Sequence, residues 1–328
     1  MINMNLIDIN RKFGTKAECI DYLEKLRWGK SVTCPKCHSD KVLKNKTQQG
    51  RYYCYNCKTT FSVLTDTIFE NSRLSLPKWF MIIGLTLNAK KGISAKEIKR
   101  NVGLTYKSAW YCGMRVRSAM IDHCNIELEN IVEMDETYVG GKAKRKIPDN
   151  IPSVNKSNID TIPNKRGRGT NKTPVVGIVE RKGKVVLKVI EKLTARNLLA
   201  MLKENVKLDN SIVVTDEFKS YKKFDEVIQH YTVNHSKKEY VKGIMHTNTI
   251  EGFWNIVKNT VRSHVAVSKK YLPFYLVSSA YIYNNRDYQG NIFEKFLKEA
   301  LQHENPMEHY KPLKTVKEIV YGKCKNKK

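Results

Sequence analysis

The sequence predicts a multidomain α+β chain, in which a small cysteine-bound module and a helical region precede an α/β domain built on a mixed sheet. Three observations carry that reading. Two Cys-x2-Cys pairs stand 16 residues apart near the N-terminus. Helical periodicity dominates 77–121. Beyond residue 126, short Val- and Ile-rich runs and amphipathic segments follow one another as strand, strand, strand, helix, strand, helix.

Length and charge set the frame for these elements. A chain of 328 residues suits two or three domains, and 41% hydrophobic residues supply their cores. No apolar run approaches the roughly 20 residues of a membrane span. Met1-Ile2-Asn3-Met4-Asn5-Leu6 has no signal-peptide layout, so a cytosolic chain with no membrane partner is expected. The 59 Lys+Arg against 32 Asp+Glu give a formal charge of +27, which points to a polyanionic partner, DNA or RNA.

The first helix is expected over 14–28, where Ala17, Ile20, Leu23 and Leu26 recur near the helical period and Thr15 caps the start. Cys34, Cys37, Cys54 and Cys57 follow as two tight knuckles. Their C-x2-C-x16-C-x2-C spacing is that of a zinc ribbon, and four soft thiolates suit one tetrahedral structural Zn2+. Tyr52, Tyr53 and Phe61 are expected to pack around it. Pro77 then opens a helix, and Ser94-Ala95-Lys96-Glu97 reads as a capping box for a second. A turn at Gly103 leads to a third helix from Thr105 to about Met120. This short helix, glycine turn and basic longer helix match a helix-turn-helix, with Lys107, Arg115 and Arg117 as candidate DNA contacts. An ordinary helical hairpin is the plainer alternative.

Residues 141–172 carry nine Lys/Arg against two Asp, with prolines, glycines and no periodicity. They read as a long basic loop. Lys142, Lys144, Arg145, Lys146, Arg166 and Arg168 are its candidate backbone contacts. Strands are expected at 131–139, 175–179, 185–190 and 211–216, with Arg181-Lys182-Gly183-Lys184 as a hairpin turn and a helix over 194–205. That order fits a ribonuclease-H-like fold. The expected domains are 1–70 (helix plus zinc ribbon), 71–125 (helix-turn-helix), 126–290 (catalytic) and 291–328 (a loosely attached basic extension).

Three acids stand in distinct settings: Asp135 inside a strand, Asp216 at a strand end and Glu251 opening an amphipathic helix. Converging carboxylates of this kind can hold two divalent metals, which clamp an in-line displacement at phosphorus. Lys258 lies two helical turns beyond Glu251 on the same face, and Asn248, His246 and Arg262 stand near it as candidate substrate contacts. Taken singly, Asp216 and Glu251 read equally well as helix-cap residues, and Glu133, Asp135 and Glu136 as surface charge. No Gly-x4-Gly-Lys-Ser/Thr loop suggests ATP, and no Gly-x-Ser-x-Gly elbow suggests a serine hydrolase.

Several stretches resemble those of bacterial insertion-sequence DDE transposases of the ISXO2-like type with an N-terminal zinc ribbon. They include Tyr22-Leu23-Glu24-Lys25-Leu26-Arg27-Trp28, Thr65-Asp66-Thr67-Ile68-Phe69, Met134-Asp135-Glu136-Thr137-Tyr138-Val139-Gly140-Gly141, Asn248-Thr249-Ile250-Glu251-Gly252-Phe253-Trp254 and Tyr283-Asn284-Asn285-Arg286. The resemblance implies an enzyme that binds the terminal inverted repeats of a mobile element, cuts the DNA ends and joins their 3′-hydroxyls to target DNA. Asp135, Asp216 and Glu251 would hold two catalytic Mg2+, with Mn2+ as a substitute, and Lys258 would be the basic residue that follows them. It further implies double-stranded DNA as partner, a homodimer or larger assembly on DNA, and a bacterial cytoplasmic location, on the nucleoid when DNA-bound. The alternatives are a non-catalytic DNA-binding regulator derived from such an enzyme, and a plain metal-dependent nuclease.

Overall fold

The computed structural model describes residues 4–121, 126–140, 172–233, 246–264 and 267–302, with two short strands at 307–308 and 311–312. Two helices open it, α1 (Leu6–Lys12) and α2 (Lys16–Trp28). The sequence reading missed α1, because its seven residues bury Ile9 alone and so show no apolar stripe. The expected second helix is present, with Thr15 and Glu18 forming a reciprocal capping box.

The ribbon is a three-stranded antiparallel sheet of β1 (Val42–Lys44), β2 (Arg51–Cys54) and β3 (Thr59–Ser62). Alternation along β2 buries Tyr52 and Cys54 and turns Arg51 outward. Tyr52 stacks on Phe61 at 5.6 Å, and Trp28 meets both rings edge-on at 5.4 and 6.0 Å. The end of α2 thus closes the ribbon's small core. Tyr53 lies outside that core, against Tyr55.

Three helices follow: α3 (Leu76–Asn88), α4 (Ala95–Val102) and α5 (Tyr106–Ser118). Pro77 stands in the first turn of α3, where its missing N–H costs nothing. Ser94 and Glu97 form the expected capping box of α4. Gly103 ends α4 in the left-handed region, φ 66°, and Thr105 caps α5. A short helix, a glycine turn and a longer helix are therefore present at the expected positions.

The larger sheet has the order β6-β5-β4-β7-β8, formed by β4 (Leu128–Val139), β5 (Thr173–Glu180), β6 (Val185–Val189), β7 (Val206–Thr215) and β8 (Gln229–Thr232). The first three run antiparallel in a meander, and β7 and β8 are parallel to β4. Helix α6 (Ala195–Asn205) makes the crossover into β7. This is the mixed sheet of the ribonuclease-H-like fold. One face packs Met134, Val176 and Ile178 against Leu198, Met201 and Leu202 of α6. The other packs Val175, Val179 and Val189 against α7 (Asn248–Ser263) and α8 (Leu272–Asn284).

The C-terminal segment corrects an expectation. The expectation of a loosely attached extension over 291–328 fails at α9 (Ile292–Ala300), which buries Ile292, Phe293, Phe296 and Leu297 in the same core as Phe13, Leu76 and Phe80. Phe293 lies 5.6 Å edge-on from Phe80. The apolar i, i+1, i+4, i+5 pattern of this helix is only two turns long, too short to stand out in a polar tail.

Candidate active site

The zinc knuckles come together as the spacing predicts. The sulfurs of Cys34, Cys37, Cys54 and Cys57 all lie within 4.8 Å of one another. The Cys34–Cys57 and Cys37–Cys54 separations are 3.6 Å, close to the edge of about 3.8 Å for a tetrahedron with Zn–S of about 2.3 Å. Backbone donation from Ser39, then the Asn56 side chain, pulls the Cys37 thiol down to about 6, while burial raises Cys34 to about 11. The donor set fits one structural Zn2+.

The acidic site lies where β4 meets the end of β7, at the C-terminal edge of the parallel pair. Carboxylates of Asp135, Glu136 and Asp216 stand within 4.8 Å of one another. Asp216 follows Thr215 directly, and its Oδ1 accepts the Phe218 amide at 3.0 Å, so it is also a local turn-former. Asp135 pairs with Gly177 across β4 and β5. A Cβ at Gly177 would sit 2.8 Å from the Trp254 ring, so glycine there leaves space for the indole. Trp254 Nε1 donates to Asp135 Oδ2 at 2.9 Å. Burial first, and then the neighbouring charge of Glu136, push the Asp135 carboxyl up to about 7; Asp216 adds to the effect. Three crowded acids of this kind are strained without a cation and suit one.

Glu136 was not predicted as a member of the cluster. Tyr221 Oη donates to its Oε2 at 2.8 Å, and Tyr221 is buried with its own pKa well above the ordinary value, by burial and then by the Glu136 charge. Its adjacency to Asp135 was the available signal, but strand alternation argued that neighbours point to opposite faces. Both nevertheless come within 4.8 Å of Asp216, which directly follows β7.

Glu251 stands in the first turn of α7, exposed, and accepts from Thr247 Oγ1 at 3.2 Å. It lies outside the three-acid cluster among the described residues, one turn before Trp254. Lys258, Arg262 and Asn248 are exposed on the same helix. Ile250, Phe253, Trp254 and Val257 are buried on the side of the helix that faces the core. His246 approaches Glu133 at 3.4 Å.

Two expected DNA contacts are corrected. Arg115 and Arg117 are 2% and 4% exposed. Arg115 Nη2 donates to Glu70 O at 2.8 Å, and its guanidinium stacks on Trp79 and Tyr111. Arg117 Nη2 donates to Ile93 O at 2.8 Å, with its guanidinium 4.6 Å from the Tyr275 ring centre. From Cys112 to Ser118 every residue of α5 is buried, so these cations tie helices together. Lys107 is exposed in the first turn of α5, beside the exposed Tyr106. Lys142, Lys144, Arg145, Lys146, Arg166 and Arg168 lie outside the described residues.

No helix among the described residues is long and apolar enough to cross a membrane. In sequence, the ISXO2-like transposase domain matches residues 127–284, and a transposase zinc-ribbon domain matches 14–60. An uncharacterised protein in transposable element ISH50 of Halobacterium salinarum is 29% identical over 274 residues, which is 81% of this chain and 90% of that protein. An uncharacterised transposase-like protein of Haemophilus influenzae is 31% identical over 112 residues, 34% of this chain and 89% of the relative. Among solved structures, the Mos1 strand transfer complex matches with a TM-score of 0.28 at 11% identity, over 70% of this chain and 79% of that one. A Mos1 paired-end complex gives 0.19 at 12%, over 69% and 79%; at that level neither bears on activity. With the ribbon and the mixed-sheet domain both matched in order, the chain belongs to the ISXO2-like transposase family.

Proposed function

We propose that this protein binds the terminal inverted repeats of an insertion sequence, cuts the DNA ends and joins the freed 3′-hydroxyls to target DNA. The observation that carries the reading is the cluster of Asp135, Glu136 and Asp216 at the C-terminal edge of β4 and β7, in a chain of charge +27. Asp135 and Asp216 would hold divalent cations, with Glu251 as the third ligand from α7. Bound Mg2+ there would activate the attacking hydroxyl and neutralise charge on the leaving oxygen.

The chain's own residues do the rest. Trp254 Nε1 holds one oxygen of Asp135 beside the cluster. Tyr221 fixes Glu136 in the same way. The exposed face of α7 offers Lys258, Arg262 and Asn248 to the phosphodiester backbone beside the acids. The first turn of α5, with Tyr106 and Lys107, is the part of the helix-turn-helix open to a groove. The ribbon's Lys41, Lys44, Arg51 and Lys58 extend the basic surface. Two element ends must be held together, so the active form is a dimer or larger on DNA, in the cytoplasm where the DNA lies.

The test uses purified protein, Mg2+ and labelled DNA carrying the repeats that flank the gene, beside Asp216→Ala. Specific nicking at the repeat boundary, lost in the variant while binding persists, is the expected result. Salt-sensitive binding without cutting by the wild type would turn the reading to a DNA-binding regulator. Cutting without strand joining would leave a plain nuclease.

A further inference from the structure

Glu133 is a fully buried acid, two residues before Asp135 on the same face of β4. Its carboxylate is fully used. Oε1 accepts from Arg181 Nε at 2.7 Å and Thr249 Oγ1 at 2.9 Å, and Oε2 accepts from the Ile250 amide at 2.9 Å. Arg181, in the turn between β5 and β6, also donates from Nη2 to His246 O at 2.8 Å. These partners belong to α7 or lead directly into it.

Helix α7 begins at Asn248 after Thr247, whose side chain makes no capping bond to the helix. Ile250 is the third helical residue, and its amide is one that an N-cap hydroxyl ordinarily takes. Glu133 takes it instead, from the neighbouring strand. The Thr247 hydroxyl donates to Glu251 Oε1 at 3.2 Å, within the same first turn. One turn further on, Trp254 bonds Asp135. The helix is therefore bolted to β4 at two points, and Glu251 lies between them.

We propose that Glu133 is a positioning residue for the acidic site: by capping α7 from the sheet, it sets where Glu251 stands relative to Asp135. This rests on the reading of Glu251 as a metal ligand. Without the Glu133 carboxylate, the buried Ile250 amide loses its acceptor, and the first turn of α7, which carries Glu251, loses its tie to β4. Arg181 loses its counter-charge at the same time, and the segment entering the helix loses an anchor.

The experiment is Mn2+ binding by titration calorimetry on the full chain, comparing wild type, Glu133→Gln, Glu251→Gln, the double variant and Thr249→Val. Glu133→Gln should weaken Mn2+ binding by about tenfold or more, the usual scale for partners of metal ligands. The double variant should bind no more weakly than Glu251→Gln alone, because the first residue acts through the second. Thr249→Val, which removes one donor and no charge, should shift affinity in the same direction by less. A purely structural role would lower the folded fraction and leave the affinity of the folded protein unchanged. Wild-type affinity in Glu133→Gln or in Glu251→Gln, or additive losses in the double variant, would overturn the proposal. Should Glu133→Gln fail to fold by circular dichroism, Thr249→Val decides, and unchanged Mn2+ affinity there overturns it. If the variants show these shifts yet the wild type cuts no DNA, the positioning role stands and the transposition reading falls.

Discussion

Cations in this protein divide between those buried in the fold, such as Arg117, and those exposed at its surface, such as Lys107. Arg117→Ala would strip Ile93 O of its donor and leave a cavity beside Tyr275, at a cost of roughly 3 kcal/mol. Lys107→Ala should leave the urea midpoint nearly unchanged, but lower the salt dependence of DNA binding by about one unit of slope. Sequence pattern placed both residues on one basic helix; it could not see that α8 would cover the second half of that helix. A third residue sets an acid limit. His264 is half-buried against Tyr275, and burial first, then the Arg117 charge, lower its pKa from 6.5 to about 3. The unfolded chain therefore binds this proton at about 6.5 and the folded chain only near 3. Between those values the unfolded state holds more protons, so this contribution falls as the pH drops through that window. His264→Gln should flatten that part of the stability profile, measured as urea midpoints from pH 7 to pH 4.

At the scale of elements, the helices with strong caps and turns were legible because their signals are local. Ser94-x-x-Glu97, Gly103 and Thr105 each act within one turn, and each does in the structure what its residue type suggests. The zinc knuckles were legible for the same reason. Glu133 and Trp254 were not, since their partners are more than 100 residues away in sequence. Glu136 was obscured by the strand rule that usually separates neighbours. Helix α9 was missed because its meaning depends on a core built from the other end of the chain. Truncation after Gly290 tests it. Removing Phe293, Phe296 and Leu297 forfeits burial of about 2 kcal/mol each, comparable with the stability of a whole small domain. The truncated chain should be insoluble or melt more than 10 °C lower, about the shift that such a loss implies.

At the scale of the molecule, the ribbon packs around its thiolates, the helical unit has a core of its own, and the larger sheet is covered on both faces. The ribbon's core is small and contains the four sulfurs, so its folding should depend on metal while that of the helical unit and the larger sheet does not. A strong chelator should release one Zn2+ per chain and shift the Trp28 fluorescence, with the far-ultraviolet signal of the helices and larger sheet largely kept. Loss of the whole signal would show that ribbon and helical unit unfold together through α2. The return of α9 to the helical core has a consequence in time. Phe80 leaves the ribosome more than 200 residues before Phe293, an interval of roughly 10 to 40 s at ordinary rates of synthesis. For all that time the first helices lack their closing partner, while the sheet that carries the acids is free to form. A nascent chain halted before α9 should therefore be cut by protease within its first helices, although its β4–β7 region already resists.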